Sequence, residues 1–482
     1  MNKLESLKPY EVFKYFEEMC NIPHGSGNRT AISQYCVNFA KSHNLRFVCD
    51  DAKNVIIYKE GSKDLKNTEP IILQAHLDMV CEKISGLDFD FDKEPLDIFI
   101  DGDFVKAKNT TLGADNGIGV AMILAILADE NLSHPPIEAV FTTDEEIGML
   151  GAGELDFSLF SAKKMINLDS EEENILTVSC AGGCDVAFSL PFKKEKVSGE
   201  KVSLIIDGLK GGHSGVEIDK GRVNANMLCG RLLNHLKNQF NFNIAEINGG
   251  AKANAIPFTV CAKLITKDAK ALIAEAKAYF EEIKTEFFSR EPGCTLNCDF
   301  IESGTFEAID SFASNRLIEV LLNAPNGIVN MSAEIKGLVE TSLNLGVVRT
   351  NQDNIFFHFA LRSNKASALD LLVEKMISFG KTLGLEYKMF GRYEPWEFKS
   401  DSPLQQLYIK TFNTVFGKEP KIEAIHAGLE CAVFSAKISE LDCISIGPDI
   451  FDVHSPKEKV SVSSVLRVYE LLKTMLNSSL QK

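Results

Sequence analysis

Residues 71–80 read Ile71-Ile72-Leu73-Gln74-Ala75-His76-Leu77-Asp78-Met79-Val80, and this stretch decides the fold. An uncharged, largely aliphatic run ends abruptly in an imidazole and a carboxylate, the pattern of a strand buried on both faces of a sheet. Three other places repeat it. Ala139-Val140-Phe141 and two threonines precede Asp144-Glu145-Glu146; Met165-Ile166 precedes Asn167-Leu168-Asp169-Ser170; Cys443-Ile444-Ser445-Ile446 precedes Gly447-Pro448 and then Val453-His454-Ser455. Ligands of open α/β sheets bind outside the carboxyl ends of the strands. All four polar clusters are therefore expected on one rim of a mostly parallel sheet. A fifth, Gly113-Ala114-Asp115-Asn116-Gly117, stands before an apolar helix read over 118–127.

Two imidazoles and three carboxylates are the donor types that hold a pair of zinc-like ions. Two such ions about 3.5–4 Å apart polarise a carbonyl and supply hydroxide at neutral pH. Five side chains suffice for both ions if one carboxylate bridges them. Asp115 is the natural bridge, because glycines at 113 and 117 allow the backbone to come close.

The segments AHLDMV, TLGADNGIG, TDEEIGMLGA, NLDSEE, CAGG, LKGGHSG, NAIP, VETSLNLG, HAGLEC and SIGPDIFDVHSP together resemble the M20-type zinc metallopeptidases. Within that family they are most similar to the cytosolic aminoacyl-histidine, or non-specific, dipeptidases. The likeness runs from about residue 4 to beyond residue 460, with every ligand position filled. It implies that His76, Asp115 and Asp169 hold one ion and Asp115, Glu146 and His454 the other, as two zinc ions per chain or cobalt or manganese in their place. It further implies that Glu145 is the general base, and that Asp78 hydrogen-bonds the His76 imidazole to fix its tautomer. His213, in the glycine-bracketed loop LKGGHSG, would reach over the metals and donate to the oxyanion. Asn254 and Arg362 would hold the terminal carboxylate of the substrate, for which a guanidinium fork is suited. His426 to Glu430, with Gly428, would return to the catalytic domain and line the cleft; Glu430 receives no role. The implied reaction is hydrolysis of dipeptides, Xaa-His and broader. An aminotripeptidase or an N-acyl amino acid deacylase of the same fold is the alternative within the family, and a catalytically silent binding protein on this scaffold the alternative outside it.

Composition agrees. The chain has 482 residues, 45 % hydrophobic and 24 % charged, enough for two domains or more. Its net charge of −16 disfavours nucleic acid and anionic membranes as partners. The N-terminal residues lack an apolar core of signal-peptide length, and no run of about 18 apolar residues occurs, so a cytoplasmic protein is expected. Small dipeptides are the expected partners, with a homodimer and a monomer both open. Cys36, Cys229, Cys261 and Cys443 lie in apolar contexts and read as buried thiols. The pairs Cys180/Cys184 and Cys294/Cys298 lack the two-plus-two spacing of a structural zinc site.

The fold expected is α/β: a zinc-exopeptidase-like catalytic domain with a mixed, mostly parallel sheet, in parts 1–186 and 397–482, interrupted by an α+β lid at 187–396. The lid carries a faint internal echo. Asn254 precedes an alternating strand at 258–265, and Asn351 precedes another at 354–361 followed by Arg362. A duplicated lid with divided duties would explain both.

Overall fold

Ile71, Ile72 and Leu73 pack without solvent exposure above 3 % because their strand lies in the middle of a sheet, with parallel neighbours on both sides. The computed structural model describes residues 3–63 and 65–478. Within it the chain forms two units, one of residues 1–180, 398–424 and 429–482, the other of 181–397 and 425–428.

In the first unit an eight-stranded sheet runs in the order Arg46–Cys49, Val55–Lys59, Ile137–Thr142, Ile71–His76, Lys164–Asn167, Asp442–Ser445, Ile175–Cys180, Lys421–Ile425. The four central strands are parallel. Antiparallel pairing takes over on both flanks, so the sheet is parallel in the centre only. Behind it the helix Ala114–Ala128 is buried on every face from Ile118 to Leu127, which explains why its sequence shows no polar stripe. Asp115 and Asn116 have non-helical backbone angles at its start. Gly113 adopts a φ of +68°, and a Cβ there would stand 2.8 Å from the Met79 sulfur. Glycine is thus required at 113 by backbone conformation and by Met79.

The second unit holds a nine-stranded sheet whose main path is Thr295–Ile309, Lys194–Asp207, Val260–Thr266, Phe242–Gly249, Val339–Thr350, Asn354–Ser363, Gly182–Pro191, Glu386–Tyr393. Each half is a strand–helix–strand–strand–helix–strand run. The first takes the helices Ala225–Lys237 and Ala269–Lys284, the second Ser311–Asn323 and Ala366–Thr382. From the outside inward, each half places its last, first, third and second strand, and the two second strands meet through Asn248–Arg349 and Gly249–Val348. The first half is inserted between the first strand and first helix of the second. Asn254 and Asn351 fall in the equivalent connections, between second and third strands.

Two expected boundaries move. Residues 181–186 belong to the second unit because the strand Gly182–Pro191 is continuous through them. Residues 425–428 also belong there: the His426 ring bonds to Ser342 and Asn364, and the Ala181 amide donates to Ile425 and Ala427 carbonyls. None of the twelve cysteines is in a disulfide, and nine are buried. Among the described residues no helix is long and apolar enough to cross a membrane.

Candidate functional site

His76 closes its strand with only 1 % exposure, and its Nδ1 donates to the backbone carbonyl of Asp78 at 2.9 Å. That bond leaves Nε2 as the lone-pair nitrogen. Nε2 stands 3.2 Å from Asp115 Oδ1 and 3.3 Å from Asp169 Oδ1. On the other side of Asp115, His454 Nε2 lies 3.2 Å from Oδ2 and 2.9 Å from Glu146 Oε1. One carboxylate therefore presents a separate oxygen to each imidazole. Candidate ligand atoms of His76, Asp115 and Glu146 lie within 4.8 Å of one another. Ligands at zinc-like bond lengths around a tetrahedral ion are about 3.3 Å apart, and the observed spacings of three of these four contacts match. His454 is half exposed, unlike the other four.

Electrostatics carries the same message. Four carboxylates, on Asp115, Glu145, Glu146 and Asp169, crowd into one buried rim, and such charge is stable only when compensated. Two divalent cations would balance all four. Without them the histidines take the burden. Burial opposes a charged His76, yet Asp169, Asp115 and Glu145 hold its pKa well above the ordinary value. Hydrogen bonds to Asp115 and Glu146 raise His454 to about 11. Burial pushes Asp169 up to about 6 despite His76, whereas for Asp115 the two imidazoles outweigh burial and lower it. Burial holds Glu145 well above the usual carboxylate range; His76 opposes this and Asp169, Glu430 and Glu146 reinforce it.

Asp78 differs from expectation. Its carboxylate is 3.7 Å from His76 Nδ1, beyond a hydrogen bond. It accepts instead from the backbone N–H of Glu145 at 2.9 Å, of Glu146 at 3.3 Å, and from the Ser26 hydroxyl at 2.7 Å. Its carbonyl orients His76 while its side chain fixes the two glutamates. Asp144, fully buried, accepts from the Gly27 N–H and pairs with Arg29.

Two buried acids have clear tasks that sequence reasoning missed. Glu458, 3 % exposed, accepts the backbone N–H groups of Leu112, Gly113, Ala114 and Asp115 at 2.7–3.2 Å and so holds the loop that presents Asp115. Its only sequence signal is a carboxylate four residues after His454. Glu430, with no exposure, accepts at Oε2 from Gln74 Nε2 and, at 2.6 Å, from Thr142 Oγ1. Burial raises its pKa to about 8, and its side chain ties together the two strands that end at His76 and Thr142.

The remaining expected residues lie in the second unit. His213 Nδ1 accepts the N–H groups of Gly215 and Val216, both at 3.2 Å, which places the ring proton on Nε2. Burial and the nearby Arg362 lower its pKa, so the ring is neutral. Arg362, at the end of Asn354–Ser363, donates from Nη1 to the Tyr393 hydroxyl at 3.1 Å, and its buried Nε has no hydrogen-bond partner among the described residues. Arg362 and Asn254 line a common cavity of about 300 Å³. Gly428 sits in the short segment docked on Ala181.

The chain is 38 % identical over 480 residues to the cytosol non-specific dipeptidase of Escherichia coli, covering 99 % of each. It superposes on the crystal structure of aminoacylhistidine dipeptidase from Vibrio alginolyticus with a TM-score of 0.90 and 34 % identity, over 98 % of each chain. A Staphylococcus aureus tripeptidase shares the fold at a TM-score of 0.58 and 12 % identity, over 99 % of this chain and all of that one. Residues 72–478 match the model of peptidase family M20/M25/M40, and the chain belongs to that family of hydrolases.

Proposed function

We propose that this protein is a cytoplasmic metallo-dipeptidase with two zinc ions per chain, acting on Xaa-His and other dipeptides. The observation that carries the reading is Asp115, whose two oxygens face two different imidazoles at 3.2 Å each, one beside Asp169 and the other beside Glu146. The full-length likeness to two dipeptidases supports the substrate class.

Zinc ions bound there would supply Lewis acidity and a water that ionises near neutral pH. His76, Asp115 and Asp169 would hold one, Asp115, Glu146 and His454 the other. Glu145 takes the proton of the attacking water and returns it to the leaving nitrogen. Asp78 acts by holding the Glu145 and Glu146 backbone in place. His213 donates its Nε2 hydrogen to the oxyanion, a task for which a neutral ring with Nδ1 already engaged is prepared. Arg362 and Asn254 read the terminal carboxylate, with Gly428 contributing backbone to the substrate site.

A panel of dipeptides, tripeptides and N-acyl amino acids, assayed on metal-depleted protein restored with zinc, cobalt or manganese, tests the reading. Metal-dependent turnover confined to dipeptides is the expected result. Preference for tripeptides or acyl amino acids would transfer the proposal to those substrates.

A further inference from the structure

The cavity that holds Arg362 and Asn254 is lined at its other end by Asp185, His358 and Gly391. Residues two apart on a strand share a face, so His358, Ala360 and Arg362 look the same way from Asn354–Ser363. On the neighbouring strand Gly183 stands opposite Arg362 and Asp185 opposite Ala360. Asp185 is thus a diagonal neighbour of Arg362 across the two strands, about 7–8 Å away. The floor between them is Gly183 and Ala360; the Tyr393 ring lies over Gly183, where a Cβ would stand 2.6 Å from it, and walls the cavity on that side.

Asp185 keeps one oxygen engaged and one open. Oδ1 is 3.1 Å from His358 Nε2. Oδ2 faces Gly391, where the φ is +62° and a Cβ would stand 3.0 Å from that oxygen. A guanidinium with an unpartnered buried Nε at one end, and a carboxylate kept accessible by a glycine at the other, describe a ligand with its own anion and cation at similar separation. An amino-acid residue with a terminal carboxylate and a flexible four-carbon stem ending in ammonium has that shape.

We propose that Asp185 is a specificity-determining residue that reads a basic side chain on the C-terminal residue of the substrate, whose carboxylate lies on Arg362. The inference rests on the dipeptidase reading and adds to it a preference for lysine-like residues over neutral ones of equal length. A neutral chain would strip water from Asp185 without replacing it.

The test measures kcat/KM for alanyl-lysine and alanyl-norleucine with the zinc-loaded full chain, as wild type and as Asp185→Asn, an isosteric change. The wild type should favour the lysine dipeptide by about tenfold or more, as a charge-assisted hydrogen bond allows. Asp185→Asn should bring that ratio close to one, and Asp185→Glu should restore part of it. A ratio unchanged by Asp185→Asn, or a wild type without preference for lysine, overturns the assignment of Asp185 while leaving the dipeptidase reading in place. Failure of the wild type to hydrolyse either dipeptide overturns that reading, and this inference with it.

Discussion

Two pairs of histidines, one pair in each unit, meet opposite environments. In the first, His76 and His454 sit among carboxylates that raise their pKa values. In the second, burial and Arg362 lower both His213 and His426. His426 is held at about 3, its Nδ1 3.0 Å from Asn364 Oδ1 and its Nε2 2.8 Å from the Ser342 hydroxyl. The difference teaches what each environment demands. A rim of buried carboxylates needs cations, and its imidazoles are either protonated or given to metal. A region where the charged neighbour is a guanidinium keeps its imidazoles neutral, as hydrogen-bond donors and acceptors of fixed tautomer.

The comparison is broken most severely at Glu145. Glu145→Gln should leave metal content intact and lower turnover by at least the roughly 10²–10⁴-fold typical of general-base catalysis. Glu146→Gln, one residue away, should instead weaken metal binding. Metal analysis alongside kcat separates the two, and near-normal turnover in Glu145→Gln would refute the assignment.

Next in size is the support beneath the bridge. Glu458→Ala would strand four backbone N–H groups in a buried setting. With each of the four unmade bonds costing about 1–3 kcal/mol, the loop loses about 4 kcal/mol or more. Chelator titration should show weaker metal retention than in wild type; equal retention would show that the loop holds its shape without Glu458.

On the cationic side, Arg362→Ala should leave metal content unchanged and cost about 1.5–3 kcal/mol in kcat/KM on a dipeptide, as for a lost charge-assisted hydrogen bond. It should also erase the wild-type preference for a dipeptide over its C-terminal amide. An undiminished preference would show that Arg362 does not read the carboxylate.

The smallest effect is a pH dependence from His426. Its folded pKa of about 3 lies below the ordinary 6.5, so between those values the unfolded chain binds the extra proton. Stability should therefore fall as pH drops below 6.5, by about 1.4 kcal/mol per unit, and be unaffected by this group above it. Urea midpoints at pH 7 and 5.5 should show a shallower loss in His426→Gln than in wild type. Parallel losses would place the acid sensitivity elsewhere.

How much could be read from the chain alone follows the same division. The strand ends that carry the candidate ligands were legible because an uncharged run followed by an imidazole or carboxylate has few other uses, and four of them occur in order. The repeat in the second unit left only an echo in sequence, Asn254 and Asn351 before alternating strands, because strand order and not residue identity is what the halves share. Glu458 was illegible: the amides it accepts lie 343–346 residues away, and a carboxylate near a histidine looks the same when it is merely solvated. Glu430 depends likewise on Gln74 and Thr142, 356 and 288 positions distant. His426 was assigned to the wrong unit because its motif adjoins Glu430, while its ring contacts come from Ser342 and Asn364.

The central claim is that Asp115 bridges two ions. Metal stoichiometry of zinc-saturated protein, measured for the wild type and for Asp115→Ala, tests it most directly. The account predicts two ions per chain in the wild type, and a larger loss in Asp115→Ala than in either Asp169→Ala or Glu146→Ala. A saturated wild type holding no more than one ion at this site would contradict it.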